Sequence, residues 1–504
     1  MSHFARSTII VAVFFGIDKI LGFGRSLIVG RHFGLSYELD VFNAANNIPD
    51  LLSSLISGGA LGVALIPVIT EYLQKHGRDR AWDLFSRILN LGFLVTAAFA
   101  VLVALFAPWL VSNVIAPGFP AEQAALTVEL MRLDLFAILI FSISGLVMAG
   151  LQANQHFLFP AIAPSLYNVG QILGVVLLAP IYGIHGLVYG VIFGAALHLG
   201  IQVPGLIKHG FRWSPKIQLR SKGVRQVLTL LGPRVLTMLF IQIFFIVRDN
   251  LASHLAEGSV SALNLGWFIM QVPETLMGTA IAIAILPTLA EIFNRGGLDE
   301  FRASVNRAVR TLLSLTIPAA VILAVGIRPI VAYAFGFDIA GTEQIVLAAR
   351  VYLMGLTGHT LLEISARSFY AQQDARTPLY AAAFNAAMFV ALAITLTNRL
   401  GFFGIALANS IAFTTEALLL LYLLNRRFPG VLDVVKPLLR ALGSSAAAGL
   451  LLYIFLHLDF FPITSALNQA GLAAVGMLAV FFLALRVTWD EIKPLLKLGQ
   501  AVQA

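Results

Sequence analysis

DKILGFGRSLIVGRHFGLSYELDVFNAANNIPDLLSSLISGGALGVALIPVITEY, residues 18–72, decides how the rest of the chain is read. Two long apolar helices are written in it, and both carry residues that a simple lipid anchor avoids. The first embeds Asp18, Lys19 and Arg25 among Ile, Leu, Phe and Gly. The second opens at Asp40 and sets Asn43, Asn46, Asn47, Asp50, Ser53 and Ser54 within a few turns. Ionisable groups are costly in hydrocarbon, so they face a bundle interior or a watery cavity. Glycines at 22, 24, 58 and 59, with Pro49, allow close packing or bending. The stretch reads as one wall of a polar cavity inside a membrane protein.

Composition agrees. Of 504 residues, 59% are hydrophobic and 12% are charged, against about 25% charged in average soluble domains. Cysteine is absent, which excludes a disulfide framework and any Cys-based metal site. The opening MSHFARSTIIVAVFFG has no small-residue cleavage site before Asp18, so it is read as a retained first span. The net charge of +8 fits Lys and Arg gathered in cytoplasmic loops. No basic run is interleaved with stacking aromatics, so nucleic acid is not an expected partner.

Apolar segments of spanning length predict an all-α, polytopic membrane protein of about fourteen helices. They fall at about 7–33, 40–73, 83–112, 122–151, 159–181 and 184–207, then 224–254, 259–293, 301–336, 342–371, 378–398 and 402–424. A last pair follows at about 436–457 and 466–487. Loop charge alternates: 74–82 and 208–225 are rich in Lys and Arg, whereas 113–121, 182–183, 255–258 and 458–465 hold none. The positive-inside rule puts both termini in the cytoplasm, and an even helix count agrees.

The chain also repeats itself. LIPVITEY (65–72) matches ILPTLAEIF (285–293), with Pro67 and Pro287 offset by 220. QANQHFLFPAI (152–162) echoes AQQDARTPLYA (371–381), and GIHG (183–186) echoes GFFG (401–404), both offset by 218. A six-helix unit is thus duplicated in the same orientation, and transporters commonly place substrate between such repeats. The expected organisation is an N-terminal lobe at 1–207, a basic linker at 208–223 and a C-terminal lobe at 224–424. An appended pair with a tail completes it at 425–504.

No GxxxxGK[ST] or HExxH sequence is present, and the external loops are too short to house paired carboxylates with a metal. Catalysis and a metal cofactor are not expected. His198 and His359 read as packed or hydrogen-bonded residues. The candidate binding groups lie inside the membrane. Lys19 and Arg25 stand about 120° apart around one helix. An arginine fork suits a phosphate's oxygens, while lysine offers a point charge. Asn43, Asn47, Asp50 and Ser54 form one polar stripe at helical spacing. Asn264, Gln271 and Glu274 run beside Pro273, a predicted kink. Arg248 with Asp249, the Glu129, Arg132 and Asp134 group, and Glu363 with Arg367 are expected as structural ion pairs.

LGFGRSLIVGRHFG (21–34), the Asp40 helix start, IPDLL (48–52), ALIPVITEY (64–72) and APGF (116–119) resemble the MurJ (MviN) lipid II flippase family. FPAIAPSLYNVGQI (159–172), GSVS (258–261), ILPTL (285–289) and FYAQQDARTP (369–378) continue the likeness in order over nearly the whole chain. The resemblance implies the fold of the MATE-like and polysaccharide-exporter superfamily. It also implies export of a lipid-linked peptidoglycan precursor across the bacterial inner membrane by alternating access. Several family-type arginines are unmatched. Lys19 stands for one, Ser26 replaces an Asp after Arg25, Ser53 and Ser54 replace an arginine pair, and Trp267–Phe268 an Asp–Arg pair.

The expectation is a non-enzymatic flippase for a polyprenyl-diphosphate-linked precursor, foremost lipid II. Its partners would be that lipid, the phospholipid membrane and cell-wall synthesis proteins. No cofactor is expected, and a coupling ion such as Na+ or H+ is left open. Other lipid-linked oligosaccharides, drug–cation antiport and a non-transporting scaffold for wall synthesis are the alternatives.

Overall fold

The computed structural model describes residues 3–56, 60–218, 221–458 and 465–493, and no strand occurs among them. In hydrocarbon every backbone N–H and C=O must be satisfied within the segment, so the long apolar runs become helices. The first compact unit ends at Gly258. It contains α1 (His3–Phe33), α2 (Tyr37–Ile56) and α3 (Ala60–His76). α4 (Arg78–Ile115), α5 (Ala121–Ala153), α6 (Leu158–Tyr182) and α7 (Ile184–Lys208) follow, then α8 (Lys222–Ala252). The second unit, from Ser259, contains α9 (Ser259–Asn294), α10 (Leu298–Phe335), α11 (Ile339–Met354) and α12 (Leu356–Ala371). α13 (Arg376–Leu400), α14 (Phe402–Arg427), α15 (Val435–His457) and α16 (Ala466–Val487) complete it.

Ten of these helices are long and apolar enough to cross a membrane, and α11 with α12 make an eleventh span bent by 41°. α1, α2 with α3, and α8 fall on the other three expected segments. The order is therefore that of the fourteen predicted segments, with two differences. Residues 57–59, inside one predicted helix, lie outside the described residues. The segment expected as one helix over 342–371 bends at Gly355. A side chain there would meet Ser410 of α14 at 2.8 Å. At the bend the Gly355 amide donates to Tyr352 O rather than to Val351 O, and the Ser410 hydroxyl takes the freed Val351 carbonyl at 2.7 Å.

Proline leaves a similar mark elsewhere. Wide π-helical turns follow Pro108 at Val111–Ile115 and Pro273 at Glu274–Thr279. A missing backbone donor loosens the ladder at such places.

In the first unit α2, α4, α5 and α7 share a core around Val41, Ala44, Ala45, Met131 and Leu187. In the second, α10 is the central packing partner. One of its faces packs with α12 and α14 around Leu312, Ile364 and Leu420. The other packs with α15 and α16 around Ile322, Leu452 and Met477. The C-terminal pair thus shares a core with α10 rather than hanging from it.

The repeat is visible in backbone angles. Gln155 and Gln373, 218 apart, have φ of 57° and 59°. Gly183 and Gly401, again 218 apart, have φ, ψ of 56°, −138° and 58°, −142°. The packing boundary at Gly258 nevertheless comes later than the repeat boundary, because α8 packs on α2 and α3. The linker's 208–218 stretch runs along α4. Trp82 Nε1 donates to His209 O at 3.0 Å, and Asn90 Nδ2 to Ser214 O at 2.7 Å.

Candidate substrate site

α1 crosses the first unit beside α6. Asp18 accepts a hydrogen bond from Asn168 Nδ2 at 2.9 Å, so it is committed to α6 and not to Lys19. Lys19 is exposed, with its Nζ 5.1 Å from the centroid of the Phe15 ring. Ser26, where the family resemblance implies an acid, donates back to Gly22 O at 3.1 Å. Arg25 between them is half-buried, and no carboxylate bonds it among the described residues. Its field reaches Asp50 of α2 and Tyr167 of α6.

The predicted stripe on α2 divides in use. Asn47 is buried and donates to Asp249 Oδ2 of α8 at 2.8 Å, joining two helices. Asp249 also accepts from Arg248 Nε at 2.7 Å, the neighbouring pair expected from the sequence. Ser54 bonds its own helix at Leu51 O, 2.8 Å away. Asn43 is half-buried, and Asp50 is exposed, interacting electrostatically with Arg25 and Asp249. Arg25, Asp50, Asp249 and Tyr167 therefore form one charged and polar locus between otherwise apolar helices.

The trio expected to pair within α5 does not. Arg132 Nε donates to Ala104 O of α4 at 3.0 Å, and Glu129 lies 3.1 Å from His185 Nε2. Both side chains reach outward to neighbouring helices, and Asp134 turns inward alone. It is 3% exposed, and its Oδ1 has no hydrogen-bond partner among the described residues. His198 is packed as expected, its Nδ1 2.6 Å from Ser144 Oγ.

The second unit has its own polar groups. Glu274 sits in the wide turn after Pro273 and accepts from Thr279 at 3.0 Å and Thr275 at 3.3 Å. Arg367 acts on Glu274 electrostatically while pairing with Glu363, the ion pair read from the sequence. Asn264 is half-buried and Gln271 is exposed. His359 stacks on Phe413 with centroids 4.0 Å apart and meets Asn409 Oδ1 at 3.2 Å. Sequence reasoning passed over a buried pair here, Asn385 Nδ2 to Glu416 Oε2 at 2.5 Å. Its signal was one Asn and one Glu in apolar spans 31 residues apart. No group of three or more His, Asp or Glu placed to hold a metal ion occurs among the described residues.

The sequence profile of the family described as lipid II flippase MurJ matches residues 29–472. The chain belongs to the lipid II flippase MurJ family. It is 29% identical over 468 residues to the lipid II flippase MurJ of Burkholderia cenocepacia, covering 90% of this chain and 89% of that one. It is 30% identical over 495 residues to a probable lipid II flippase MurJ of Rhizobium meliloti, covering 92% and 90%. The solved structure of a lipid II flippase MurJ in an inward closed conformation superposes with a TM-score of 0.79. That match has 26% identity and covers 95% of this chain and 99% of that one. An inward-facing multidrug resistance MATE transporter of the MOP superfamily shares the fold alone. Its TM-score is 0.72 at 15% identity, over 84% of this chain and 99% of that one. The protein is thus a multi-pass helical member of a transporter family.

Proposed function

We propose that the protein flips a polyprenyl-diphosphate-linked cell-wall precursor, lipid II, across the bacterial inner membrane by alternating access. Arg25 carries the reading. A guanidinium in an apolar helix is costly unless something answers its charge; here Asp50 reaches it only through its field, and no carboxylate bonds it among the described residues. A diphosphate supplies the oxygens its planar fork is shaped to hold. Lys19, on the same helix, is the second cation. Asp50 modulates the field at Arg25, Asn47 fixes α2 against α8, and Asn43 and Ser54 offer polar contacts beside them. Asn264, Gln271 and Glu274 are the corresponding groups assigned to the second unit. The repeat units 1–207 and 224–424 serve as the two working halves, with both termini in the cytoplasm. No covalent bond is made or broken, so the protein is not an enzyme. Cell-wall synthesis proteins are its expected neighbours.

The test is Arg25→Ala and Arg25→Lys, with lipid II on the outer leaflet and membrane-inserted protein measured together. Charge-assisted hydrogen bonds contribute about 1.5–3 kcal/mol, so the alanine variant should lose at least about tenfold in transport at normal abundance. The lysine variant should recover part, since a point charge cannot reproduce two parallel bonds. Full transport by Arg25→Ala at normal abundance would remove the diphosphate reading.

A further inference from the structure

Asp134 has no role in the reading above. It lies mid-way along α5, almost wholly buried, with Oδ1 unpartnered among the described residues. Asp50 of α2 and Tyr167 of α6 interact with it electrostatically. On the other helices packed against α5, Arg78, Asp79, Arg80 and Lys208 stand exposed at helix ends, and the charged groups further along are engaged elsewhere. On α7, His198 is held by Ser144, and His185 lies beside Glu129. On α4, Asp83 pairs with Arg87, and on α3 Glu71 pairs with Lys75. Arg132, on α5 itself, is spent on the Ala104 carbonyl. Among the described residues no cation bonds Asp134.

A bare carboxylate in that position would bear the full penalty of burial, with the like charge of Asp50 added to it. A proton removes the charge and needs no partner cation. Asp50, by contrast, is exposed, so the two carboxyls comprise one accessible and one enclosed member.

We propose that Asp134 is a proton-binding carboxyl linked to the anion site at Arg25. The step is simple: Asp134–COOH releases H+ to give Asp134–COO−, with no change in electrons. The linkage follows from charge. Arg25 offsets the negative charge of Asp50, and a diphosphate that occupies Arg25 cancels that help. The potential around Asp134 becomes more negative, so anion binding draws a proton onto it. By reciprocity, anion binding tightens as pH falls. The linkage rests on the diphosphate reading of Arg25; the proton on Asp134 does not.

Full-length protein carrying 13C-carboxyl aspartate tests the proton by infrared difference spectroscopy between mildly acid and mildly alkaline buffer. The C=O stretch of a buried carboxylic acid should be present in the wild type and absent from Asp134→Asn. In Asp50→Asn the same band should vanish at lower pH, because a neighbouring negative charge has gone. Geranylgeranyl diphosphate in detergent tests the linkage over the same range. Its own titration is common to all variants. The wild type should lose up to about tenfold more affinity per pH unit than Asp134→Asn. A band unchanged by Asp134→Asn overturns the proton site, and equal slopes overturn the linkage. If the probe binds neither protein, the diphosphate site falls and the infrared result still decides the proton. If Asp134→Asn does not accumulate, a band whose pH range is unmoved by Asp50→Asn overturns the proposal.

Discussion

Asp374, in the turn before α13, shows how much one side chain can organise. Its Oδ1 accepts from the amides of Arg376 at 3.1 Å and Thr377 at 3.0 Å. Its Oδ2 accepts from Thr377 Oγ1 at 2.8 Å and Arg427 Nη2 at 3.0 Å. Partial burial pushes this carboxyl up, but the bonds from Thr377 and Arg427 outweigh it and hold it below its usual 3.8. A depressed carboxyl contributes stability that is complete above the unfolded value and is lost as pH falls through the folded one. Asp374→Ala should therefore lower stability at neutral pH by about 1–2 kcal/mol, the worth of a helix cap, read as a drop in thermal midpoint. Its difference from wild type should shrink in acid below pH 3.8. The motif around Asp374 was plain in the sequence, but its Arg427 partner, 53 residues on, was not. The same limit governs the site. Arg25 and Asp50 declared themselves as charges in apolar helices. That Asn47 would bond Asp249, 202 residues away, depends on how α8 packs, which no local pattern encodes.

At the scale of elements, apolar length made almost every helix legible, while contacts between helices were not. α6 and α7 meet glycine on glycine. A side-chain Cβ at Gly170 would lie 2.2 Å from Gly194 Cα, and one at Gly190 would lie 2.7 Å from Gly174 Cα. Small residues four apart let two backbones approach, and no hydrophobic drive assists them in lipid. Gly190→Ala should push the pair apart and destabilise by about 1–3 kcal/mol, the range for overpacking. Gly200→Ala, with nothing within 4 Å of its Cβ, should be neutral or stabilising by up to about 1 kcal/mol. Thermal midpoints of the two variants check this, and equal midpoints would mean the glycine contact is not tight. The α5 trio failed as an ion-pair prediction for a related reason. Proximity in sequence puts charges on one helix, but the Ala104 carbonyl that Arg132 meets and the His185 ring that Glu129 meets are on α4 and α7.

For the whole molecule, the sequence supplied a repeat and an alternation of loop charge, and the structure gathers those loops by sign. In the first unit one end collects 34–40, 114–118, 183 and 253–258. Tyr37 N donates to Glu257 at 2.8 Å, Gly258 N to Asp40 at 2.7 Å and Asn250 to Val114 O at 2.7 Å. The other end joins the basic linker to the start of α4, with Arg87 bonded to Gln218 at 2.5 Å and Trp213 to Asn90 at 2.8 Å. In the second unit Arg427 meets Asp374, and Arg302 meets Pro429 O at 3.2 Å, so its basic loops 295–302, 372–376 and 425–430 also share an end. Positive charge resists translocation, which predicts a cytoplasmic linker end. α1 runs from His3 to Phe33, toward the end that holds 34–40, so its start belongs with the basic side. The chain has no cysteine, so single cysteines can report the side directly. Glu122→Cys, exposed at the start of α5, should react with a membrane-impermeant maleimide added to intact spheroplasts. Lys216→Cys and Asp79→Cys, exposed at the opposite end, should react only after the membrane is opened. Labelling of Lys216→Cys from outside would overturn the predicted topology and, with it, the direction of transport through the protein proposed above for the Arg25 site.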